Sequence, residues 1–171
     1  MTRARALAGA LGLAVLLTAC SPAAEEATET PTPDPTPVEM SCDTIVPTTF
    51  SSRLGELGWS AREEPFRIGE HVFDDGIQCI WGDAETGSEV AQMYGWAPAD
   101  ADTAAEMQEY LEAQGWIREE DGDTVYITEN PDYALAVGDD GYGMTYRFRD
   151  GTIALADTKT GLELVVWQAG E

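Results

Sequence analysis

Cations are what this chain has least of. Lys159 is its only lysine and His71 its only histidine, and nine Lys and Arg face 32 Asp and Glu, for a formal charge of −23 over 171 residues. Binding nucleic acid means neutralising phosphates with clustered Lys and Arg, so that class of partner is excluded. Cysteine is scarce as well. Cys20, Cys42 and Cys79 include no Cys-x-x-Cys pair, and one imidazole cannot complete a zinc site with them. No serine stands in a nucleophile-elbow glycine pattern, and no acidic run follows the EF-hand order of calcium ligands. The apolar run before Cys20 is about 14 residues, a helix of about 21 Å against a hydrocarbon core of roughly 30 Å, which argues against a permanent span.

What is present falls into three stretches. Residues 1–19 open with Arg3 and Arg5, continue with an Ala- and Leu-rich apolar run and end in the small residues Thr18 and Ala19. That is the three-part plan of an export signal. Residues 20–40 hold five of the nine prolines, no aromatic residue and scattered acids. Fixed φ angles and mutual repulsion make them an extended, partly polyproline tether, whose 20 residues after Cys20 reach roughly 60 Å. Residues 41–171 carry all five Trp and all six Tyr, ample for one core.

Leu17-Thr18-Ala19-Cys20 resembles a bacterial lipobox. The resemblance implies a cut between Ala19 and Cys20, with Cys20 lipidated on its sulfur and becoming the mature N-terminus. Two or three acyl chains exceed the single-chain regime of reversible binding, so the implied location is the extracytoplasmic face of the cell membrane. Loss of Arg3 and Arg5 deepens the charge to −25. The tether, the cysteine at the start of the domain and Cys79-Ile80-Trp81 also resemble small actinobacterial lipoproteins. That likeness concerns organisation and carries over no catalytic or binding residue.

Export places Cys42 and Cys79 in an oxidising compartment, where an even pair reads as a disulfide. The domain itself reads as α+β, with two helices packed on a mostly antiparallel sheet. Phe50, Leu54 and Leu57 recur at helical spacing over 48–57, closed by Gly58, and Met107 and Leu111 do so over 104–114, closed by Gly115, with Thr103 and Glu106 as a capping box. Leu54, Gly58, Trp59 and Glu63 match Leu111, Gly115, Trp116 and Glu120 at an offset of 57, which leaves open two diverged helix-then-strands units. Period-two stretches predict strands at 78–81, 89–96, 124–128, 133–137, 144–149, 152–156 and 162–168, and Asp150-Gly151 signals a hairpin.

The chemistry-bearing residues point away from catalysis. His71 lies between acids with no nucleophile assigned to it. The acids of Glu119 to Asp123, Asp74-Asp75 and Asp139-Asp140 read as turns and solvated surface, with weak cation binding as the alternative. Trp59 and Trp116 directly follow the helix-ending glycines and read as core anchors. Trp96 and Trp167, near strand ends, are the candidates for a ligand face, since flat rings stack on apolar ligand surfaces. The resulting expectation is a non-enzymatic binding or interaction module without metal or cofactor. Its partner is a basic envelope protein, a cation or a small solute. A carboxylate-based hydrolase of envelope glycans is the alternative, to be distinguished by whether two buried carboxyls face each other in a cleft.

Overall fold

The computed structural model of the chain describes residues 38–83 and 90–167. The export signal, Cys20, most of the tether and the outer ends of the strands expected at 89–96 and 162–168 lie outside the described residues. Within them the order is α1 (Thr48–Glu56), β1 (Ser60–Ile68), β2 (His71–Gly82), β3 (Ala91–Pro98), α2 (Ala101–Ala113), β4 (Ile117–Asp121), β5 (Thr124–Thr128), β6 (Thr145–Arg149), β7 (Thr152–Ala156) and a 3₁₀ turn, Thr160–Leu164. The strands form one antiparallel sheet in the order β1-β2-β3-β7-β6-β5-β4, so the chain is α+β.

Both helices end in the same way. Gly58 and Gly115 take positive φ. The N–H of Gly58 then reaches Gly55 O while that of Trp59 reaches Leu54 O, and the N–H groups of Gly115 and Trp116 do the same to Glu112 O and Leu111 O. These paired bonds are the Schellman motif, whose apolar contact is supplied by Trp59 and Trp116 against the helix they close. The expected capping box at the start of α2 does not form. Asp100 is the cap, its carboxylate accepting the Thr103 N–H at 2.8 Å. The helix therefore begins three residues earlier than its apolar stripe suggested.

The helices cover opposite faces of the sheet. Ala154 and Ala156 of β7 pack with Leu54 of α1, Trp81 and Trp96, whereas the intervening Ile153 and Leu155 pack with Met107 and Leu111 of α2, Phe66 and Phe148. Alternation along a strand puts these two sets on opposite sides. β3 and β6 flank β7 and pair with the same five residues, Thr152 to Ala156. A half-turn about β7 would exchange α1-β1-β2-β3 with α2-β4-β5-β6 in order and direction. This is the spatial counterpart of the 57-residue offset.

Cys42 and Cys79 are joined, with Cα atoms 5.5 Å apart. Cys79 is fully buried in mid-β2, and the bond pins the segment holding the buried Ile45 and Val46 against the α1 face. The Val166 N–H bonds Ile45 O at 2.9 Å, so the chain after the 3₁₀ turn runs beside that segment.

Two strand expectations are corrected. Residues 133–137 form no strand but a surface excursion between β5 and β6, with Tyr133, Leu135 and Val137 exposed. The stretch 162–167 begins in the 3₁₀ turn and continues without a ladder, burying Leu162 and Val165. Alternating apolar residues make a strand only where a partner ladder waits, and neither stretch has one. Conversely, β1 and β4 were not expected, because as edge strands they carry charges where an inner strand carries apolar residues.

Candidate functional site

The β3–β7–β6 ladder places residues far apart in sequence in rows across one face. One row is Trp96, Ala154 and Arg147, and the next is Pro98, Thr152 and Arg149. With strands about 4.8 Å apart, Trp96 and Arg147 stand about 10 Å from each other at the backbone. Between them Ala154 is buried, packed in the core with Leu162 and Val165. The segment after the 3₁₀ turn brings Val165, Val166 and Trp167 alongside Trp96, Pro98, Arg147, Arg149 and Thr152, and the Asp150-Gly151 hairpin lies at one end. The result is a groove of about 560 Å³.

Trp96 and Trp167, the two expected ligand-face residues, meet here edge to face, with ring centroids 6.4 Å apart. Their parts differ. Trp96 is almost wholly buried and forms the base, whereas Trp167 is half-buried and lines the wall. Trp59 and Trp116 pack against the two cores as expected. Trp81 is buried, and its indole N–H has no hydrogen-bond partner among the described residues.

Two arginines complete the groove, and their role was not read from the sequence. Tyr146 and Phe148 face α2, so the alternate residues Arg147 and Arg149 face the groove. Arg147 is half-buried and donates from Nη1 to Leu162 O at 3.3 Å. No carboxylate lies within 4 Å of it among the described residues, and burial pulls its guanidinium down from its ordinary pKa. Arg149 is exposed and pairs with Asp150, Nε to Oδ2 at 2.9 Å. The signal was present in Thr145–Arg149, where two of the chain's nine cations stand two residues apart on one strand face.

Apart from Asp150, no acid among the described residues lines the groove. Glu119 of β4 accepts from Lys159 and, at 2.8 Å, from the Tyr142 hydroxyl, and the bond from Lys159 holds its carboxyl below the usual range. Lys159 also sits over the Tyr126 and Tyr142 rings at 4.7 and 4.4 Å. The chain's only lysine thus ties the loop after β7 to β4, β5 and the loop before β6. Asp140 accepts from Tyr142 N and Thr160 N and serves as a turn brace. Among the described residues no Asp or Glu is buried, and no group of three or more His, Cys, Asp and Glu could hold a metal ion. His71 is exposed against Phe73, with ring centroids 4.6 Å apart, beside a shallow hollow that Asp74, Asp75 and Asp100 also border. No described helix is long and apolar enough to cross a membrane.

Compared with protein-family models, curated proteins and solved structures, the chain finds no match in any of the three.

Proposed function

We propose that this chain is a membrane-anchored lipoprotein of the cell envelope whose folded domain is a non-enzymatic binding module, taking a small solute into the groove of Trp96 and Trp167. The convergence of those two rings from distant segments on one groove carries the reading. The lipobox resemblance at Leu17-Thr18-Ala19-Cys20 and the tether supply the anchor and display. The Cys42–Cys79 bond agrees with an oxidising destination. Of a basic protein, a cation and a small solute, the groove favours the solute, because it is concave and aromatic and is lined by arginines. The arrangement of the acids supports this reading over a carboxylate hydrolase. Exposed or half-buried and dispersed, the described acids include no fully buried pair.

Two readouts test the two halves. Radiolabelled palmitate should enter the wild type and not Cys20→Ala, and the variant should leave the membrane fraction. Unlabelled wild type, or a variant that stays fully in membranes, contradicts the anchor. In a thermal-shift screen of small envelope solutes, those that stabilise the wild type should lose that effect in Trp167→Ala. Solutes that stabilise both proteins equally, or none at all, contradict the binding module.

A further inference from the structure

The groove is a cationic site on a strongly anionic protein. Of its lining side chains, Arg147 and Arg149 are positive and Asp150 is negative, leaving one net positive charge beside two indole rings. Arg147 uses one contact on a backbone carbonyl, Leu162 O, and has no carboxylate partner among the described residues. A guanidinium carries five donors in a planar fork suited to a carboxylate. A half-buried arginine with no carboxylate beside it among the described residues is costly unless another anion supplies the charge. The Arg149–Asp150 pair is solvent-exposed and holds weakly, so Arg149 can turn toward a ligand at small cost.

On the reading that this groove binds a small solute, we infer that its ligand is an organic monoanion of the carboxylate class with a flat apolar part. The carboxylate lies on Arg147, assisted by Arg149, and the flat part lies against Trp167 within the groove that Pro98 and Thr152 also line. The single net positive charge suits a carboxylate better than a multiply charged phosphate. The site also inverts the domain's overall preference: the surface at large attracts cations, and this one groove selects an anion. The proximity of Arg147 to the rings lets one ligand use both, charge at one end and stacking at the other.

The test uses the full-length mature protein in detergent micelles and a panel of aryl carboxylates, each paired with its neutral amide, followed by saturation-transfer NMR. Charge-assisted hydrogen bonds predict that the acids bind on the order of tenfold tighter than their amides. Arg147→Gln should bring acid and amide to within about twofold. Arg147→Lys, which keeps the charge without the fork, should fall between, and near-UV circular dichroism verifies that each variant keeps its packing. Trp167→Ala should weaken acid and amide alike. If acids and amides bind equally and Trp167→Ala still removes both, the anion assignment is overturned and the solute groove stands. An acid preference that survives Arg147→Gln in a folded variant also overturns it. If no probe binds, or binding ignores Trp167→Ala, the groove reading falls and this inference falls with it.

Discussion

Reduction of the Cys42–Cys79 bond, or its removal in the double variant Cys42→Ala/Cys79→Ala, is expected to cost the domain about 4 kcal/mol. The cysteines are 37 residues apart in sequence, and closing a loop of that length removes denatured-state entropy of about that size in the chain-entropy model. The enclosed segment contains α1, β1 and most of β2, so the bond holds one whole end of the sheet to its covering helix. Urea unfolding with and without reductant measures the effect, which in thermal unfolding corresponds to a fall of roughly 10–20 °C in midpoint. An unchanged midpoint would show that burial of Ile45, Val46 and Leu54 holds this end by itself.

Phe66→Ala is expected to cost about 3–5 kcal/mol, the range for an aromatic ring deleted from a packed core. Phe66 is fully buried just after the irregularity in the β1–β2 ladder, and its ring meets Phe73 and Tyr146 edge to face at 5.4 and 6.3 Å. It also lies over Gly95, where an added Cβ would come within 2.8 Å of the ring. Gly95→Ala should therefore destabilise the wild type by about 1–3 kcal/mol through overpacking. In Phe66→Ala, where the ring is gone and only the 3.2 Å approach to Ile77 O remains, the same change should cost clearly less. This non-additivity is read from a double-mutant cycle of denaturation midpoints. Additive losses would mean that the ring does not fill the space above Gly95.

The residues that close elements were the most legible. Gly58-Trp59 and Gly115-Trp116 marked both helix ends, because a left-handed cap and its apolar contact are local events. Asp150-Gly151 marked the β6–β7 turn for the same reason, with both residues at positive φ. The edges were hidden. β1 carries Arg62, Glu63, Glu64 and Pro65, and β4 carries Arg118, Glu119 and Glu120, residues that discourage pairing with other chains and also erase the alternation that identifies a strand. At 133–137 the pattern misled in the opposite direction, since alternation records what a segment could bury and not whether a ladder is there to receive it.

The candidate groove was legible by halves. Trp96 and Trp167 stood out as aromatic residues near strand ends, and they do meet. Arg147 did not, because its position depends on β6 lying two strands from β3 with the small Ala154 between. That register depends on the β3–β7 pairing, across more than fifty residues of chain, which no local pattern reports. Overall charge pointed toward cationic partners, yet net charge describes the long-range field and not the lining of one groove.

The central claim, that Trp96 and Trp167 form the receiving surface, is tested most directly by fluorine NMR of the mature protein labelled with 5-fluorotryptophan. Each of the five resonances is assigned by substitution, and the small-molecule fraction of the cell envelope is then titrated in. Shifts confined to Trp96 and Trp167, with Trp59, Trp81 and Trp116 unmoved, are the predicted result. Five unmoved resonances, or shifts centred on Trp59 or Trp116, would contradict it.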